Sequence, residues 1–207
     1  MMEMSKAIKC PSVEFQLINF KKIQEVLQRK DILPQYLKTP LILYLFNEIN
    51  RLLDTPEEIE KIREDFVQLW SLDTVNEQTE AFALVKSKPD DYVLKPQREG
   101  GGNNTYGVEI LEKFKSQHAT SELKAYILMK RIKPTPRPGF MLKKIQLNVE
   151  GVISEFGVFS YLISEEKALL ESKYGGYLLR TKNFETDEGG VATGYSVLDS
   201  LVYEEKD

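Results

Sequence analysis

Apolar residues fall at helical spacing in the first half of the chain and in short β-type runs afterwards. Val13, Leu17, Phe20, Ile23 and Leu27 recur at steps of 4, 3, 3 and 4, one face of a helix that Ser12 can cap. Thr55-Pro56-Glu57-Glu58 offers a capping box with proline at the first helical position, and Ile59, Ile62, Phe66 and Leu69 follow at steps of 3, 4 and 3. A third helix is predicted over residues 107–117, with Ile110, Leu111 and Phe114 inward. Residues 41–53 are apolar without a period, so no element is assigned there. The later runs, 92–95, 125–132, 151–163 and 177–182, are β-branched or aromatic and are separated by Gly, Pro or Asn clusters. Helices first and strands later predict an α+β chain, with a mostly antiparallel sheet flanked by helices. Residues 134–139 hold three prolines in five positions, which predicts a loop rather than a sheet ladder.

Composition narrows the function classes. The 207 residues include ten Phe, ten Tyr and one Trp, ample apolar surface to offset the entropy of ordering, so the chain is read as globular. A net charge of −4 argues against a broad nucleic-acid or anionic-membrane surface, so no nucleic-acid and no membrane partner is expected. One cysteine, Cys10, excludes an internal disulfide, and one histidine, His118, excludes a histidine-rich metal site. The longest apolar run, 41–46, is too short to span a bilayer, and the start MMEMSKAIKC lacks the apolar stretch of a secretory signal. A reducing, cytoplasmic location is the expectation.

The densest chemistry lies in Lys95-Pro-Gln-Arg98-Glu99-Gly100-Gly101-Gly102-Asn103-Asn104-Thr105-Tyr106-Gly107, between a predicted strand and a predicted helix. Consecutive glycines permit positive φ and let backbone N–H groups approach a ligand. Such a turn, leading into a helix, makes a concavity suited to phosphate. Lys95 and Arg98 bring positive charge, and Glu99 a hard oxygen ligand for Mg²⁺. A plain surface turn is the alternative. Neither nucleotide signature fits: GxxxxGK[ST] is absent and GxGxxG fails at Thr105.

A second glycine loop follows Arg180-Thr-Lys182, running Glu188-Gly-Gly-Val191-Ala192-Thr-Gly194. Alternation in a strand puts Arg180 and Lys182 on one face, where two cations ask for an anion, and a lid over a reacting centre becomes plausible. An edge strand kept soluble by its charges is the competing reading. Glu155 shares a strand face with Ile153, Phe159 and Tyr161, and a carboxylate there needs a cation, a metal or a nucleotide. Met129-Lys130-Arg131-Ile132 ends a strand before the proline loop, where backbone groups between apolar walls could meet a base edge. Cys10 is read as a buried small residue, and Lys21-Lys22 and Lys143-Lys144 as solvated faces.

These blocks, in this order, resemble the eukaryotic-type glutathione synthetase family of ATP-grasp ligases. The resemblance rests on the thirteen-residue glycine motif, Ala7-Ile-Lys-Cys-Pro11, Tyr126-Ile-Leu-Met129, Ile153-Ser-Glu155 with Gly157, and Leu178-Leu-Arg-Thr-Lys182 leading to Gly189-Gly-Val-Ala192. It implies an ATP-grasp-like fold over residues 1–207, corresponding to the C-terminal ATP-binding region and truncated relative to the family. It also implies ATP and Mg²⁺ as cofactors, and ligation of γ-glutamylcysteine to glycine through an acylphosphate; a catalytically incomplete nucleotide-binding fragment is the alternative. By resemblance, Lys9 and Lys95 contact phosphates and Glu99 the metal. Gly100, Gly101, Gly102, Asn103, Asn104 and Tyr106 line the nucleotide, with Met129, Lys130, Arg131 and Ile132 at the adenine. Glu155 holds the ribose or base side, and Lys182 and Glu188 contact ATP from the second loop. Arg180, taken with Lys95 as catalytic, joins Val191 and Ala192 at the peptide substrate. The family is commonly homodimeric. Lys130 stands where the family usually has Glu, Glu188 where it has Asp, and Thr193 replaces the second of two alanines.

Overall fold

The computed structural model describes residues 4–37, 56–98, 102–117, 121–143, 145–165 and 168–202. The chain divides into two compact units, Met1–Ile132 and Lys133–Asp207. Two separate antiparallel sheets replace the single sheet that the sequence suggests, one in each unit.

In the first unit, β1 (Leu69–Trp70), β2 (Tyr92–Pro96), β3 (Thr105–Tyr106) and β4 (Tyr126–Lys130) form a sheet in the order β1-β4-β2-β3. Leu94 lies opposite Leu128, so both point to one face. There they are buried with Leu72 and Leu123, against Ala81 and Val85 of α5 (Val75–Ser87) and Ile110 and Phe114 of α6 (Val108–Gln117). Each Leu, Ile, Val or Phe side chain removed from water there contributes about 1.5–3 kcal/mol. The third predicted helix is therefore present with the predicted inward residues. α5 was not legible from apolar period alone. Its start is fixed by a capping box, in which Thr74 accepts from the Glu77 N–H and Glu77 accepts from the Thr74 N–H.

The predicted helix over 13–27 is two helices, α1 (Val13–Ile18) and α2 (Lys21–Leu27), because Phe20 is extended at φ −67° and ψ 140°. Ser12 caps α1 as expected. Polar anchors aim α2. The Lys22 ammonium donates to Ser71 Oγ at 2.6 Å and to the Asp73 carboxylate, and Gln28 bonds the Leu69 backbone through both ends of its amide. The apolar period ignores these fixed points, and they outweigh it. Burial raises the Asp73 carboxyl, but the bonds from Lys22 and Ser71 prevail and leave it below its ordinary range. After the short helix α3 (Leu33–Leu37), α4 spans Pro56–Glu64, so Phe66 and Leu69 are not helical; Leu69 instead enters β1 beside the central strand β4. Thr55 of the predicted capping box, residues 41–53, His118 and Lys144 lie outside the described residues.

The second unit is a meander: β5 (Arg137–Lys143), β6 (Gln146–Glu165), β7 (Ala168–Asn183) and β8 (Ser196–Asp199) pair in chain order. Part of the predicted proline loop is thus strand. β5 is an edge, so Pro138, opposite Gly151, sits where a missing N–H is tolerated. Gly139 is required for closeness, since a Cβ there would come within 2.4 Å of Val152 Cγ2. Four side chains run across all four strands. Arg137 donates to Ser154 Oγ at 3.1 Å, Ser154 and Thr181 hydroxyls lie 2.8 Å apart, and Thr181 donates to Asp199 at 2.6 Å. The helices that the sequence reading places around its sheet belong to the first unit; among the described residues the second has none. No helix among the described residues is long and apolar enough to cross a membrane.

Candidate functional site

Antiparallel pairing puts Lys95 opposite Ile127 and Val93 opposite Met129, so these four share the face of the first sheet that turns away from the α5–α6 core. Val93 and Ile127 are buried between the two ends. At the Lys95 end lies a cavity of about 360 Å³, lined by Asn19, Lys21, Lys95, Gln97, Arg98 and Asn104 among others. Three cations line it, and no carboxylate does among the described residues. Cations gathered on one small volume repel one another unless a polyanion is shared between them. The cavity therefore suits phosphate groups. Gln97 fixes its wall: its Oε1 accepts from the Lys22 N–H at 3.3 Å and its backbone N–H donates to Ala125 O at 2.9 Å.

At the Met129 end lies a second cavity of about 340 Å³, lined by Lys21, Leu27, Phe66, Leu69, Met129 and Ile132 among others. Its walls are predominantly apolar, as a planar base requires. Lys21 lines both cavities. The sequence reading set this residue aside as a solvated face. Nothing in the sequence marks it, because its place follows from the break at Phe20 and the anchoring of Lys22.

The remaining predicted residues of this unit are placed as follows. Gly102 has φ +83°, the left-handed conformation expected of the bend, while Glu99, Gly100 and Gly101 lie outside the described residues. Asn104 Nδ2 donates to the Tyr106 hydroxyl at 3.1 Å, and the Arg131 guanidinium stands 5.5 Å from the centre of the Tyr106 ring. Asn103 is exposed. The Lys130 and Arg131 N–H groups are already donated, to Gln68 O at 2.9 Å and Asp91 O at 2.7 Å, so neither is the donor to a base edge. The Lys130 side chain is exposed. Lys9 donates to Ser5 O at 2.5 Å in the turn before α1. Cys10 is exposed, not buried, because this turn pairs with no strand and has no core around it.

In the second unit, Arg180 and Glu155 are direct cross-strand partners and form an ion pair. The Glu155 side chain is 67% exposed, so the costly carboxylate on an apolar face does not arise; that face of β6 stands in solvent, and Phe159 is exposed too. Lys182 is satisfied separately. Its ammonium donates to the carbonyls of Thr186, Asp187 and Glu188 at 2.6, 3.1 and 3.0 Å. The two cations thus have their own oxygen partners within the unit. The following glycine loop is a knot of turns closing on Gly190, whose carbonyl accepts from the N–H groups of Tyr195 and Ser196 and from the Thr193 hydroxyl. Val191 and Ala192 are exposed on it. No group of three His, Cys, Asp or Glu side chains among the described residues could hold a metal ion.

The family model described as eukaryotic glutathione synthase, ATP binding domain, matches residues 2–203. The chain is 40% identical over 201 residues to glutathione synthetase of Xenopus laevis and 38% identical over 206 residues to that of Homo sapiens, covering 97% of this chain and 39% of each relative. Chloroplastic glutathione synthetase of Solanum lycopersicum is 37% identical, with 34% of its length covered. The chain therefore spans about two-fifths of the length of the curated relatives it matches. Among solved structures, a glutathione synthetase-like effector of Globodera pallida in its apo form superposes with a TM-score of 0.62 at 19% identity, over 96% of this chain and 37% of that one, a likeness of fold. With nearly its whole length matched, the chain belongs to the family of eukaryotic glutathione synthase ATP-binding domains.

Proposed function

We propose that this chain binds ATP and serves the ligation of γ-glutamylcysteine to glycine, giving glutathione, ADP and phosphate. The observation that carries the reading is the pair of adjoining cavities on one sheet face, one lined by cations and the other largely apolar. A nucleoside polyphosphate has those two chemistries joined end to end. Bound ATP supplies the phosphoryl group that makes a carboxylate electrophilic. The chain's own contribution is charge and position: Lys95 and Arg98 neutralise phosphate oxygens, while Met129 and Ile132 enclose the base. Asn104 and Tyr106 hold each other at the mouth of the glycine bend and belong to the same reading, as does Lys9 toward the phosphates.

The proposal extends to the second unit through the family motif. Lys182 and Glu188 are assigned to the nucleotide, Glu155 to its sugar or base side, and Arg180, Val191 and Ala192 to the peptide substrate. A divalent cation enters the proposal only through Glu99. One carboxylate would suffice for Mg²⁺ only together with phosphate oxygens of the nucleotide and water, which is how that ion is commonly held beside phosphates.

Equilibrium binding of ATP to the 207-residue chain tests the reading. Lys95→Met is expected to weaken ATP at least roughly tenfold, as loss of one charge-assisted phosphate contact does, and to leave adenosine nearly unchanged. Absence of ATP binding by the unmodified chain overturns the proposal. Phosphate release that depends on both γ-glutamylcysteine and glycine separates ligation from the second reading, a nucleotide-binding region that does not turn over.

A further inference from the structure

Two stretches of chain line the cationic cavity: residues 19–21, where α1 turns into α2, and residues 95–98, at the end of β2. One hydrogen bond joins them. α2 starts after Phe20, which offers no capping side chain, and the Phe20 carbonyl accepts from the N–H groups of Ile23 and Gln24. The Lys22 N–H is among the first donors that a helix leaves without an internal partner, and it goes to Gln97 Oε1 at 3.3 Å. Gln97 therefore caps α2 from 75 residues away. Its own backbone is fixed, since its N–H donates to Ala125 O at 2.9 Å, just before β4.

The orientation of the Gln97 amide is forced, and it leaves a donor unpaired. Nε2 is buried and has no hydrogen-bond partner among the described residues. Turned over, the amide would set Nε2 against the Lys22 N–H, donor against donor. A buried donor without a partner is uncommon and destabilising, and an apolar side chain of the same shape would avoid it. Packing alone thus does not account for a glutamine here; the cap does. We propose that Gln97 is a positioning residue of the nucleotide site: by tying the start of α2 to the end of β2, it holds the two sides of the cationic cavity at the spacing that phosphate groups bridge. This rests on the ATP reading above and concerns what shapes that site. The bonds of Lys22 to Ser71 and Asp73, and of Gln28 to Leu69, keep α2 on the sheet by other routes. Loss of the cap therefore loosens the first turn of α2 and leaves the unit folded. A ligand that bridges the two sides of the cavity stiffens that same turn.

Amide exchange over residues 22–24 and equilibrium binding of ATP test the assignment, using the 207-residue chain, Gln97→Met and Gln97→Glu. In the unmodified chain, saturating ATP is expected to slow this exchange at least about fivefold. Without ligand, Gln97→Met exchanges at least about fivefold faster than the unmodified chain. It binds ATP at least roughly tenfold more weakly, and its exchange slows less than about twofold when saturated. Gln97→Glu keeps an acceptor for the Lys22 N–H, so its ligand-free exchange matches that of the unmodified chain. If Gln97→Met exchanges faster but binds ATP as well as the unmodified chain, the cap is structural only and the assignment falls. Weaker ATP with unchanged exchange also overturns it, because Gln97 is then a contact and not a cap. Should Gln97→Met fail to fold, two results still refute it: fast exchange in Gln97→Glu, or exchange in the unmodified chain that saturating ATP does not alter. In each of these cases the unmodified chain binds ATP and the ATP reading stands. If it binds none, both proposals fall together.

Discussion

Arg180 donates to the Glu155 carboxylate directly across the β6–β7 register, so two residues that the family motif sends to different ligands hold each other. The pair is partly solvated, at 35% and 67% side-chain exposure. Exposed pairs of this kind contribute about 0–1 kcal/mol, because water screens the attraction and ordering two long side chains costs entropy. Glu155→Gln is therefore expected to lower stability by less than about 1 kcal/mol, with the difference shrinking as salt rises. Urea unfolding at low and high salt measures it. A loss several times larger would mean that the pair holds the long hairpin together, leaving neither residue free to turn to a ligand.

Asp199 ends the side-chain relay that crosses the second sheet. The Thr181 hydroxyl, then the Ser200 N–H, hold its carboxyl below the ordinary aspartate range; Arg137 adds in the same direction, and burial opposes them. A folded value below the unfolded one, about 3.9, means stability that is fully present above that value. It is lost as the pH falls through the folded value. Asp199→Asn should thus be less stable than the unmodified chain at neutral pH, and the gap should close below about pH 4. Urea midpoints from pH 7 downward test this; a gap constant with pH would assign the loss to packing around Thr181.

Thr74 and Ser12 both cap helices, and the fold predicts that they matter unequally. α5 buries Gln78, Ala81 and Val85, whereas α1 buries no residue. Fraying α5 therefore loosens the core, while fraying α1 exposes little that was not exposed before. Thr74→Ala should cost about 1 kcal/mol in chemical denaturation. Ser12→Ala should lower global stability by clearly less and register chiefly as faster amide exchange over 13–18. Equal costs for the two would show that α1 belongs to the cooperative core.

These contrasts explain what the sequence could convey. Ile110 and Phe114 were legible because a helix laid on one sheet face has a period of its own, and the long strands were legible from β-branched and aromatic runs. The break at Phe20 was not, since it depends on Lys22 reaching Ser71 and Asp73 far along the chain. Lys21 was hidden for the same reason. Pro138 read as a loop because the sequence does not say which strand will be an edge. The glycine motif pointed to phosphate by its composition, the reading now proposed for it, whereas the partners of Arg180 and Lys182 follow from a register that only the paired strands define.

Lys182 brings the last of these points to a test. Its ammonium gathers three successive carbonyls, Thr186 to Glu188, just before the glycine loop. Carbonyls that converge on one cation repel one another once it is removed, so Lys182→Met should release the turn. The strand itself should persist, because Leu179 and Thr181 remain buried on the opposite face. The expected outcome is faster cleavage after Glu185 and Glu188 by a glutamate-specific protease, with the urea midpoint shifted by less than about 1 kcal/mol equivalent. Lys182→Arg should keep the turn largely closed, since a guanidinium can also donate to several carbonyls. Adding ATP to the unmodified chain completes the comparison. If Lys182 moves from the carbonyls to a phosphate, cleavage at Glu185 and Glu188 rises with nucleotide and approaches that of Lys182→Met. If cleavage is unchanged at saturating ATP, the lysine is an anchor of the turn and the proposed nucleotide contact from this unit is wrong.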